Sequence, residues 1–115
     1  MATAEPPTVL LLTDPAGDGH AWPGHEERPE RLPAVVAGIR HGAEAAGAAI
    51  VEAGAPPADV ELVSRVHDPG YVGWLASTRD TGWLDGDTYV AEGSGRAAFA
   101  AAGLAVAAAR AVALG

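Results

Sequence analysis

Two carboxylates, Asp85 and Asp87, flank Gly86 in the stretch Trp83-Leu84-Asp85-Gly86-Asp87-Thr88-Tyr89-Val90. Aspartate bonds its own backbone and glycine accepts positive φ, so Asp85-Gly86 reads as a turn. Apolar neighbours on both sides pin that turn and leave an acidic tip. Pinned loops with such tips are where function tends to sit, but most are only turns, and the plain turn is the first reading. A second group lies upstream, where Asp14, Asp18, His20 and His25 fall in one loop. Imidazole with carboxylate suits zinc or another divalent cation. Their spacing matches no standard metal motif, and a hydrogen-bonded loop is the simpler reading. Around Pro29, Glu27 and Glu30 complement the start of a helix. Arg28 and Arg31 do not; an arginine there is either solvated or aimed at a carboxylate that it holds bidentately. No Gly-x-Ser-x-Gly, Walker loop, His-Glu-x-x-His or histidine pair is present.

Several elements must position these groups. Val9-Leu10-Leu11-Leu12 is a continuous apolar run of the kind buried on both faces of a parallel sheet. Leu32, Val35, Val36 and Ile39 recur at helical spacing and predict an amphipathic helix running to about Gly47. Ala49-Ile50-Val51 reads as a second strand. Val60, Leu62, Val63 and Val66 fit either a short helix or a strand, and Asp59 before them, as a cap, favours helix. Tyr71, Val72, Trp74 and Leu75 suggest another short helix, ending by Thr78. Ser94 is a good cap for a last helix from Gly95 to about Leu114. Trp74 and Trp83 read as core residues, His67 as a helix-end residue and His41 as exposed.

Composition sets the outer bounds. The 115 residues suggest one domain, and 49% are hydrophobic, but 27 are alanine. Large apolar side chains are therefore few, and the core should be thin. The last helix is alanine-rich and apolar on most faces, which calls for more covering surface than the chain offers. Fifteen acidic against seven basic residues, a net charge of −8, argue against a nucleic-acid partner. Cysteine is absent, so neither disulfides nor thiolate metal sites can form. The thirteen uncharged residues from Ala97 to Ala109 are too short to span a bilayer. No membrane partner and a soluble, cytoplasmic protein are expected.

Taken in order, four blocks resemble the N-terminal part of the zinc-dependent deacetylases, the family of histone deacetylases and acetylpolyamine amidohydrolases. They are His20 with Gly24-His25-Glu26-Glu27-Arg28-Pro29-Glu30-Arg31-Leu32; Val66-His67-Asp68-Pro69-Gly70-Tyr71-Val72; Leu84 to Val90 followed by Gly93-Ser94; and Ala97-Ala98 to Ala102-Gly103. The Asp-Thr-Tyr-Val and Gly-Ser pieces look most like bacterial class II-type members. Glu26 stands where the family has proline, and Ala91-Glu92 where it has Ser-Pro.

The resemblance implies an α/β, arginase-like fold with a central parallel sheet, incomplete in this chain, residues 1–115 being a partial deacetylase domain. It implies hydrolysis of acetyl-lysine or an acetylated amine, with zinc as cofactor of the complete family member. By the same resemblance Asp87 is the substrate-binding aspartate of the rim. Arg31 lines the acetate channel, with His25 beside it. The family's catalytic histidine pair, zinc ligands and tyrosine match nothing in this chain, so no catalytic or metal-binding residue is expected here, and the segment should be inactive alone. The alternative is a non-catalytic binding or oligomerisation module that docks or self-associates through its alanine-rich C-terminal helix.

Overall fold

The two apolar runs pair as parallel strands, β1 (Thr8–Leu12) and β2 (Ala49–Ala53), in register from Thr8 against Ala49 to Leu12 against Ala53. The computed structural model describes residues 5–115. The crossover between the strands carries α1 (Arg31–Ala46), which Gly47 ends in the left-handed conformation at φ 68°. Glycine takes that conformation without the Cβ clash that penalises other residues. Arg40 of α1 pairs with Glu52 of β2 and ties helix to strand. The sheet is not buried on both faces as expected. Side chains alternate along a strand; Leu11 is buried, whereas Leu10 and its partner Val51 are exposed.

Short elements follow, each set by a local aspartate. Asp59 Oδ1 accepts the Leu62 N–H at 2.7 Å and starts α2 (Val60–Val63). Asp68 Oδ2 accepts the Tyr71 N–H at 3.1 Å and starts α3 (Pro69–Ser77), with Pro69 in the first turn, where its missing N–H costs nothing. A small hairpin comes next. β3 (Gly82–Trp83) pairs antiparallel with β4 (Tyr89–Val90), Trp83 opposite Tyr89. Asp85 closes its loop, accepting the Asp87 N–H at 2.8 Å and the Thr88 hydroxyl at 3.0 Å.

The last helix, α4 (Ser94–Leu114), begins at Gly93 and not at a Ser94 cap. The Ser94 hydroxyl turns back instead and accepts the Ala91 N–H at 2.7 Å. Three glycines let backbone approach backbone along this helix. Gly95 lies against the Leu75 carbonyl and Gly103 against the Pro56 carbonyl; Gly93 meets Gly19 so closely that a Cβ on it would stand 2.7 Å from the Gly19 Cα. The buried residues of α4 all fall between Ser94 and Gly103, and Val112 and Leu114 are 86% exposed. By length and composition α4 could also cross a bilayer: its 21 residues run past the arginines that bound the uncharged stretch.

Alanine explains the thin core. Leu11, Val35, Val36 and Ile39 face Ala97, Ala100 and Leu104 of α4 across an apolar cleft of about 570 Å³. Alanines opposite that stripe are too short to reach it, and the space between α1, β1 and α4 stays open.

Candidate functional site

At the start of α4 the packing is tight, and Tyr89 is its centre. Both residues of β4 are buried, and Tyr89 is only 2% exposed. Its one hydroxyl proton is shared between two backbone carbonyls of the upstream loop, chiefly Glu27 O at 2.5 Å, with His20 O at 3.2 Å. Burial pushes the phenol pKa above its ordinary value, and the nearby Glu27 and Glu30 carboxylates push it further the same way. The His20 ring stacks on Tyr89 with centroids 4.3 Å apart. His20 Nδ1 lies 2.6 Å from Ser94 Oγ, and His20 Nε2 lies 3.4 Å from Glu27 Oε2. Glu27 Oε2 beside Nε2 favours the imidazole proton there, which leaves His20 Nδ1 to accept the Ser94 hydroxyl.

His25 joins the same cluster from the other side, its ring edge-on to Tyr89 at 4.8 Å and 5.9 Å from Trp83. His25 Nε2 lies 3.2 Å from the Asp87 carbonyl oxygen and 3.5 Å from Asp87 Oδ1. Two residues singled out in the sequence, 62 positions apart, are thus in contact at the hairpin tip. Arg31 is placed elsewhere. At the head of α1 it lines an open cleft of about 490 Å³ with His20, Glu27, Tyr71, Tyr89 and Ser94. Among the described residues its guanidinium has no hydrogen-bond or ion-pair partner, while neighbouring Arg28 pairs with Glu30 at 3.8 Å. In the hairpin loop the Asp87 N–H, then the Thr88 hydroxyl, hold the Asp85 carboxyl below its ordinary pKa.

The acidic and imidazole groups of the upstream loop do not converge. Asp14 caps a 3₁₀ turn at Pro15–Gly19 by accepting the Ala16 N–H, His20 turns to Ser94, and His25 to Asp87. Among the described residues no three His, Cys, Asp or Glu side chains come together to hold a metal ion. The donor set present here therefore does not fit a zinc ion. Trp83 is 50% exposed and Trp74 also lies at the surface, against the core positions expected for both. Trp83 instead stacks at a tilt on Trp22, 4.7 Å away, above the site. Tyr89, Ser94 and Trp22 were not legible as site residues. Their partners lie about sixty to seventy-five positions away, and only the apolar character of Tyr89-Val90 beside the turn gave a signal.

This arrangement can be set beside known proteins. No protein-family model matches the chain, and no curated protein does. Among solved structures the chain is similar to the crystal structure of the HDA15 HD domain, a histone deacetylase domain, at 26% identity and a TM-score of 0.69. The fold is histone deacetylase-like. The match covers 86% of this chain and 29% of the HDA15 chain, so this chain spans less than a third of that protein's length. The mixed α/β architecture with a small parallel sheet agrees with the sequence-based expectation at that level.

Proposed function

We propose that this chain forms one wall of a deacetylase-type site acting on acetyl-lysine or an acetylated amine in the cytoplasm, in the manner of bacterial class II-type members. The observation that carries the reading is the histone deacetylase-like fold; the roles of Asp87 at the rim and Arg31 in the channel come from the sequence resemblance. Asp87 stands at the hairpin tip with its side chain fully exposed, free to accept an N–H from a bound substrate. Charge assistance makes such a bond roughly twice as strong as a neutral one. Arg31, unpaired among the described residues and facing the cleft, offers a bidentate donor to a departing carboxylate such as acetate. These side chains bind and orient. Zinc is the cofactor that the likeness brings with it, but the described residues lack a donor set for it, and no step is assigned to it here.

The test is a chimera in which this chain replaces the matching segment of the HDA15 HD domain. The chimera is expected to deacetylate an acetyl-lysine reporter, and Asp87→Ala to lower its kcat/KM by about 10- to 100-fold, the loss of one hydrogen bond to a charged group. A folded chimera with no deacetylation, or one indifferent to Asp87→Ala, would contradict the reading. The free chain is expected to show neither stoichiometric zinc nor turnover. The exposed second half of α4 also favours another reading, a docking module that self-associates through this helix. A defined, cooperatively melting oligomer by light scattering and denaturation would favour the module.

A further inference from the structure

We propose that His25 is a positioning residue for Asp87, holding the hairpin tip in the conformation that presents the carboxylate. Its tautomer follows from its neighbours. His25 Nδ1 accepts the Glu27 N–H at 3.0 Å, so in the neutral ring the proton sits on Nε2. That Nε2–H points at Asp87, whose backbone carbonyl accepts it at 3.2 Å, with Oδ1 nearby at 3.5 Å. The ring is held in this pose by the Tyr89 edge contact, and its side chain is 15% exposed. Every other hydrogen bond of the tip is internal to the hairpin: Leu84 N–H to Thr88 O, Asp87 N–H to Asp85, and the Thr88 hydroxyl to Asp85. Among the described residues His25 makes the one hydrogen bond between residues 84–88 and the rest of the protein, beside the Trp22–Trp83 stack and the Tyr89 bonds at the base of the hairpin.

The hydrogen bond holds the backbone of Asp87, while its side chain stays fully exposed with Oδ1 3.5 Å from the imidazole. An aspartate on an unattached loop would lose rotational freedom on meeting a ligand, and one whose backbone is already oriented loses less. The importance of this for substrate rests on the reading of Asp87 given above, whereas the tie itself does not.

Two substitutions separate the halves of the His25 ring. His25→Asn puts an acceptor near Nδ1, keeping the Glu27 N–H bond, but is too short to reach Asp87. His25→Gln carries a donor out to the Nε2 position. In the full chain, nitrogen NMR of His25 is expected to show the Nε2–H tautomer. His25→Asn is expected to speed amide exchange at Asp87 and Thr88 on the order of tenfold, leave Glu27 unchanged, and be reversed by His25→Gln. Unchanged exchange at Asp87 in His25→Asn, or an Nδ1–H tautomer, would overturn the proposal. In the chimera, His25→Asn is expected to raise KM when Asp87 is present and to do nothing in an Asp87→Ala background. A tip that loosens without any change in KM would leave the tie standing and sink the assignment of Asp87 to substrate.

Discussion

A phenol, two imidazoles and a serine hydroxyl, drawn from three separate stretches, make the best-packed cluster in this protein. Tyr89 is the member whose loss matters most, because its hydroxyl proton is shared between two loop carbonyls. Tyr89→Phe is expected to lower stability by about 1–2 kcal/mol in urea unfolding. Its raised pKa has a definite sign: below about pH 10 both states keep the proton, and above it the unfolded state releases the proton first. Stability is therefore expected to fall as pH rises through the range above 10, and the Tyr89→Phe variant should lose that part of the slope. Asp85 has the opposite sense. Its carboxyl is depressed below 3.8, so its contribution is present above that pH and fades as pH drops through the folded-state value. At this scale the Asp85 turn and its exposed acidic tip were legible because turn chemistry is local, whereas the contact of His25 with Asp87 was not. Tyr89 and Ser94 read as a strand flank and a helix cap, since nothing local announces a partner seventy residues away.

Helix starts show the same division between local and distant causes. Asp59 caps α2 as its sequence context predicts, and Asp68, not read as a cap, does the same for α3; in both the donor satisfied lies three residues on. Asp68→Ala is expected to cost about 1 kcal/mol, read as a lower urea midpoint and less helix around Tyr71. Ser94 departs from the same rule because His20 and Ala91 claim its hydroxyl, a competition that only the assembled fold reveals. The parallel pairing of β1 and β2 and the span of α1 were also readable, from an apolar run, a helical period and a terminal glycine. The exposed outer face of the sheet was not, for periodicity marks a face as apolar without supplying its cover. The glycines of α4 carry a sharper forecast. A methyl at Gly103 would collide with the Pro56 carbonyl, so Gly103→Ala is expected to destabilise by about 1–3 kcal/mol despite its better helix propensity. The same change at Gly38 of α1, where a Cβ meets nothing within 4 Å, should instead stabilise. Thermal melts of the two variants moving in opposite directions would verify this.

For the molecule as a whole, tight packing at one end contrasts with bare surface at the other. The accessible area is 7969 Å², whereas a folded monomer of this mass typically exposes about 5,800 Å². The radius of gyration is 17.0 Å, against about 13 Å for a globule of this length. The excess is apolar in kind: Leu10, Leu32, Val35, Val51, Val112 and Leu114 are all exposed. Alanine abundance had pointed to a thin core, and the open cleft between α1, β1 and α4 gives that expectation a location. The account therefore joins an ordered site wall, built on Tyr89, to a body that needs covering. Amide hydrogen exchange of the free chain, compared with the same residues inside the HDA15 chimera, tests this most directly. The account predicts slow exchange over residues 89–103 in both, with residues 105–114 exchanging at least about tenfold faster in the free chain and slowing in the chimera. Uniform protection along the whole of α4 in a free, monomeric chain would contradict it.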